Sequence, residues 1–221
     1  MKQTTEISII RNFGDLQLIS LKMKLPSIKP GQFLIVYNPE KDDRLIPIYF
    51  ALHLDDNFFV KPKNANWEIG DQLIVKGPIG PGFINYPNYQ NLLCISLGQY
   101  QGGLNPVIDH CVNIGKNVAY MLEDTNVVLP NSVEIVFPFM LAENLNWANY
   151  VLIEAERNHL EQSNEILKKI VKSGIPAEIL LYCPILCTGD AQCMVCSVKT
   201  KKGWIRSCQH GTVFNLNELE F

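Results

Sequence analysis

Near residue 90 the apolar rhythm of this chain changes period, and that change limits the folds it can adopt. Upstream, short β-rich runs at 6–10, 17–23, 32–37, 46–54, 57–61 and 72–76 are separated by turn signals such as Asn12-Phe-Gly-Asp15 and Asp55-Asp-Asn57. Many short strands without helical periodicity predict an antiparallel Greek-key β-barrel over residues 1–87. Downstream, apolar runs at 92–97, 117–122, 132–137 and 150–155 alternate with segments of another kind. The loop Gly98-Gln-Tyr-Gln-Gly-Gly103 precedes a predicted helix over 105–113. Ile166, Leu167, Ile170 and Val171 recur at 3–4 spacing, predicting a helix over 158–172 with Gly174 as its stop. Strands alternating with helices predict a Rossmann-like parallel α/β domain over 88–177.

The remaining segment, 178–221, is distinguished by its thiols: five of the chain's seven cysteines fall in the last 40 residues. Cys187-Thr-Gly-Asp-Ala-Gln-Cys193-Met-Val-Cys196 crowds three onto one loop, and Cys208 follows a predicted hairpin. Zinc favours paired Cys-x2-Cys knuckles, of which there is one here. Disulfides need an oxidising compartment, yet the N-terminus Met-Lys-Gln-Thr-Thr-Glu has no apolar signal core, and an odd cysteine total leaves one unpaired. A plant-type [2Fe–2S] loop has the spacing Cys-x4-Cys-x2-Cys with a distant fourth Cys. Here the first gap is one residue longer and the rest fits, so Cys187, Cys193, Cys196 and Cys208 are the expected cluster ligands. The extra residue must bulge outward; otherwise Cys183 or Asp190 replaces Cys187. Gly189 is the one glycine left between Cys187 and Cys193 to turn amides toward the sulfides.

The totals exclude other classes. With 221 residues and 47% hydrophobic content, the chain has room for two modest domains and an appendage. A net charge of −3 and the absence of a Lys/Arg block argue against nucleic acid. No apolar run nears the ~18 residues of a membrane span. A cytoplasmic location is expected. Hydrolytic signatures and a Walker phosphate loop are absent from the sequence.

Barrel, nucleotide-type domain and cysteine loop in that order resemble the electron-transfer subunit of class 1B dihydroorotate dehydrogenases, a branch of the ferredoxin reductase superfamily. Lys29-Pro-Gly-Gln-Phe33 is similar to that family's Pro-Gly-Gln-Phe strand opening. Gly70-Asp71 leading to Val75-Lys-Gly-Pro-Ile-Gly-Pro-Gly-Phe83 resembles its barrel end, and Cys208-Gln-His-Gly-Thr-Val-Phe214 its closing segment. The resemblance implies FAD on the barrel, a [2Fe–2S] cluster, and a hetero-oligomer with an FMN-binding catalytic subunit. Electrons would leave for an external acceptor such as a small redox carrier. By the same resemblance, Arg44, Pro47, Ile48, Tyr49, Gly77, Pro78, Gly80 and Gly82 are the candidate FAD residues.

Departures from the family are specific. Its flavin strand Arg-Pro-Leu-Ser-Ile becomes Ile46-Pro-Ile-Tyr-Phe50, so Arg44 is the nearby cation able to replace the lost one. A tight barrel turn without ligand is the competing reading of the glycines. The dinucleotide loop Gly-Gly-Gly-x-Gly-x-Ala-Pro becomes Gly98-Gln-Tyr-Gln-Gly-Gly-Leu-Asn-Pro106. Glu154-Ala-Glu-Arg157 stands where a Cys-Gly-Pro should meet the nicotinamide. Carboxylates repel phosphates, so the α/β domain is expected to keep its fold without binding NAD. The alternatives are an NAD(P)H-linked flavin/iron–sulfur reductase with drifted motifs and a zinc-stabilised scaffold.

Overall fold

A computed structural model describes residues 2–23, 27–122, 127–185, 187 and 190–221. Six antiparallel strands close a barrel in the order β1-β2-β5-β4-β3-β6. They are β1 (Lys2–Phe13), β2 (Leu16–Leu21), β3 (Phe33–Asn38), β4 (Asp42–His53), β5 (Asn57–Lys61) and β6 (Gln72–Ile79). Because β6 returns beside β3 after the β3-β4-β5 run, the topology is the expected Greek key. Both foreseen turns form: Phe13 pairs with Leu16, and His53 with Asn57. Ile7, Leu34, Ile48, Phe59 and Leu73 point inward and are fully buried. Each contributes about 1.5–3 kcal/mol of burial relative to exposure.

The second layer is a sheet of five parallel strands ordered β9-β8-β7-β10-β11. Its strands are β7 (Asn91–Leu97), β8 (Asn117–Met121), β9 (Glu134–Val136), β10 (Tyr150–Glu156) and β11 (Ala177–Tyr182). This 3-2-1-4-5 order is the doubly wound arrangement, with its switch point between β7 and β10. β7 and β10 are buried on both faces along nearly their whole length, as central parallel strands are. Helix α1 (Asn105–Asn113) occupies the predicted residues. Helix α2 (Leu141–Trp147) has only Leu141, Asn144 and Leu145 buried, too short a stripe to announce itself. Helix α3 runs Asn164–Ser173 instead of starting at 158, because its apolar 3–4 spacing begins only at Ile166, and packing rather than propensity holds a helix this short. Gly174 ends it in the left-handed region, as expected.

The cysteine segment is built onto this sheet. The expected boundary between 177 and 178 falls inside β11, and β14 (Val213–Asn215) adds antiparallel to β11 at the edge. Between them lie the hairpin β12 (Ser197–Thr200) and β13 (Gly203–Arg206), then a single helical turn, α4 (Ser207–His210). Backbone meets backbone where this segment crosses the barrel: a Cβ on Gly80 would lie 2.7 Å from the Gly211 Cα. No helix among the described residues is long and apolar enough to cross a membrane.

Candidate functional site

A cleft of about 500 Å³ opens where the barrel faces the carboxyl ends of β10 and β11. In doubly wound sheets ligands bind at this end of the strands. The barrel contributes Ile46, Pro47, Tyr49, Val60 and Pro62; the α/β layer contributes Gln101, Glu156, Arg157, Tyr182 and Cys183. Tyr49 and Tyr182 meet edge to face, 4.6 Å between ring centroids, and so join the two domains at the cleft floor. The Tyr49 hydroxyl lies near the Cys183 backbone and Thr212 but meets neither at hydrogen-bond geometry. That oxygen is buried within the wall, so the cleft offers a ligand mainly the apolar faces of its lining residues. A second hollow of about 470 Å³ shares Val60, Pro62, Gln101 and Glu156 with the first and extends it to Lys61 and Lys63.

Of the residues expected around a flavin, Pro47 and Tyr49 lie on the cleft wall. The others are placed elsewhere. Ile48 points into the barrel core, fully buried. Arg44 is exposed on β4 and does not line the cleft. A side chain on Gly77 would strike Leu34, and one on Gly82 the Pro30 carbonyl. These glycines, with Pro78 among them, serve barrel packing and its seam with the C-terminal segment. Strand alternation explains the difference on β4: Pro47 and Tyr49 turn to the cleft, whereas Ile48 between them turns into the barrel core.

The glycine loop before α1 is occupied by the chain itself. Glu154, on β10 and 1% exposed, reaches beneath it. One carboxylate oxygen accepts from the Gly103 N–H at 2.9 Å and the Tyr182 hydroxyl at 2.6 Å; the other accepts from the Tyr120 hydroxyl at 2.9 Å. Burial raises the Glu154 pKa above its ordinary value, and the donations from Tyr182, Tyr120 and Gly103 only partly offset this. Gly103 is glycine for want of space: a Cβ there would come within 2.5 Å of Leu180 and 3.3 Å of the Glu154 oxygen. A phosphate seeks free amides at such a turn, and here a carboxylate already holds one.

The expected cluster thiols are partly gathered. Cys208, on the first turn of α4, meets Cys196, which immediately precedes β12; the Ser207 N–H donates to the Cys196 carbonyl at 3.1 Å. Burial, then the Cys196 contact and the nearby charge of Cys187, push the Cys208 thiol up to about 12, and the Ala191 N–H pulls it back. A metal bound by such thiols would displace their protons to solvent. Cys193 is exposed, and among the described residues no group of three or more His, Cys, Asp or Glu is assembled around one metal position. Thr188 and Gly189, within the loop that must bulge, lie outside the described residues. Cys183 sits beside this set, 3% exposed, accepting from the Ser207 hydroxyl at 3.5 Å. Asp190 faces Lys76 at 3.5 Å, across the seam with the barrel.

No family model matches the chain. Over 170 residues it is 25% identical to the electron transfer subunit of dihydroorotate dehydrogenase B (NAD(+)) from Clostridium perfringens, covering 69% of this chain and 68% of that protein. The fold superposes on the NADH-dependent reduced ferredoxin-NADP oxidoreductase of flavin-based electron bifurcation with a TM-score of 0.73 at 18% identity, covering 98% of this chain and 89% of that one. The chain shares the fold of that oxidoreductase. The ferredoxin reductase of carbazole 1,9a-dioxygenase matches with a TM-score of 0.61 at 15% identity, over 80% of this chain and 67% of its own. A ferredoxin-NADP+ reductase from Plasmodium falciparum matches with a TM-score of 0.55 at 12% identity, over 82% and 96%.

Within that fold, two cleft residues had no signal in the sequence. Tyr182 reads as an ordinary strand end, and Arg157 as one more charge in Glu154-Ala-Glu-Arg157. Only the parallel register of β10 and β11, which sets Glu156 beside Tyr182, puts them on one wall.

Proposed function

We propose that this chain is an electron-transfer subunit that seats FAD in the cleft and carries a [2Fe–2S] cluster on Cys187, Cys193, Cys196 and Cys208. Its partner is an FMN-containing dihydroorotate dehydrogenase catalytic subunit, and the acceptor is a small redox carrier. The observation that carries this reading is a shared wall. Cys183 faces the cleft and is hydrogen-bonded by Ser207, whose chain neighbour Cys208 contacts Cys196. A flavin converts between two-electron and one-electron transfer when bound, and a cluster accepts one electron at a time.

The chain's own residues support the binding roles. Pro47, Ile46 and Tyr49 offer an apolar wall to a ring. Lys61 and Lys63, in the adjoining hollow, supply positive charge for phosphates in place of the absent strand Arg. NAD binding is lost on this reading, because Glu154 holds the Gly103 amide and adds negative charge where a pyrophosphate would sit.

Anaerobic co-expression with the FMN-bearing partner, followed by iron, sulfide and flavin analysis, tests the proposal. A red-brown complex containing FAD is expected, and Cys208→Ser removes its visible iron–sulfur absorption. A colourless, iron-free and flavin-free complex made with a competent assembly system ends the case.

A further inference from the structure

Arg157 opens the 3-10 turn that follows β10 and lines the cleft. One of its guanidinium nitrogens, Nη1, donates both to the Val195 carbonyl and, at 2.9 Å, to the Ser197 carbonyl. These are the carbonyls on either side of Cys196. A single side chain therefore touches the cleft and grips the loop that carries a buried thiol. The charged residue before it, at the end of β10, is Glu156, whose carboxylate accepts from the Gln101 amide at 3.1 Å and so already has a partner. Arg44 is off the wall, which leaves Arg157 as the cation lining the cleft among the described residues.

We propose that Arg157 is a positioning residue that couples occupancy of the cleft to the order of the cysteine loop. A guanidinium is planar and carries five N–H donors, so it can hold two carbonyls and still present N–H groups to an oxygen-bearing, electron-rich edge of a cofactor. Lysine, a point charge on a flexible stem, cannot serve both directions at once. Filling the cleft fixes the guanidinium, and the fixed guanidinium holds the backbone around Cys196. Binding energy at one site thereby stabilises the other, and the coupling is reciprocal. The cleft half of this inference rests on the proposed flavin; the loop half does not.

The test uses the full chain, stripped of iron by a chelator, with alkylation rates of individual cysteines read by mass spectrometry with and without FAD. In the wild type Cys193, which is exposed, reacts fast, and Cys196 reacts slowly and slows further with FAD. Arg157→Gln raises the Cys196 rate roughly tenfold or more without FAD, as expected for losing about 1.4 kcal/mol or more of loop order, and abolishes the FAD dependence. Arg157→Lys recovers the rate only in part. Cys94 and Cys111, buried in the α/β core, stay protected in every variant and report that the fold is intact. Unchanged Cys196 protection in Arg157→Gln overturns the clamp. A wild type whose cleft leaves flavin fluorescence unaltered defeats the cofactor reading and the coupling with it, while the FAD-free arm still decides the clamp.

Discussion

Replacing Glu154 by Gln isolates the carboxylate that fills the glycine loop, because the side chain keeps its size and loses only its charge. Gln places its carbonyl on the oxygen shared by Gly103 and Tyr182, and its amide faces the Tyr120 hydroxyl, which rotates to accept. Charged acceptors are worth about 1.5–3 kcal/mol per bond and neutral ones about 0.5–1.5, so roughly 1 kcal/mol is lost at each of three donors. Against this, the variant escapes the desolvation of an ion buried to 1% exposure. The raised pKa says that desolvation is the larger of the two. A carboxyl whose pKa is higher folded than unfolded stabilises the protein fully below its ordinary value of 4.5 and loses that contribution as pH rises through the folded value. Wild type should therefore lose ground on Glu154→Gln as pH climbs above about 4.5, by at most about 1.4 kcal/mol per pH unit, and the difference should level off beyond the folded pKa. Urea denaturation of both proteins from pH 4 to 8 measures it. Parallel stability curves, or a wild type that gains on the variant with rising pH, would refute the claim that burial dominates at this site.

Other outcomes follow from the same geometry. Gly80→Ala forces a Cβ to 2.7 Å from Gly211 at a φ of +92°, and should cost about 2–4 kcal/mol, seen as a lowered Tm. Calorimetric titration with NADH should show no micromolar binding, and a clear micromolar isotherm would remove the role assigned to Glu154. Cys187→Ser should bleach the visible absorption of the proposed cluster; an unchanged spectrum would pass its ligand role to Cys183 or Asp190. Truncating Leu167, fully buried on α3, to Ala should cost about 2–5 kcal/mol in chemical denaturation without moving the flavin spectrum.

Much of the architecture was legible because it rests on local periodicity. The six barrel strands, α1 over its whole length and the Gly174 stop announce themselves in apolar spacing and turn residues. The short α2 and the delayed start of α3 did not, since each depends on packing against the sheet rather than on its own sequence. The site was harder. Pro47 and Tyr49, read from a motif on one strand, lie on the cleft wall, while the close packing of Gly77, Gly80 and Gly82 against protein depends on neighbouring segments that no local pattern shows.

The amino-acid order alone determined the two periodicities, the crowding of thiols and the carboxylates standing where a dinucleotide motif should be. Tertiary structure decided what those groups do. Glu154 becomes an internal ligand because parallel register lays β10 beneath the α1 loop, and Arg157 becomes a bridge because the chain returns 38 residues later to the same end of the sheet. Such contacts join residues far apart in the chain, and no local preference encodes them: they exist only once burial of the two cores has brought the segments together.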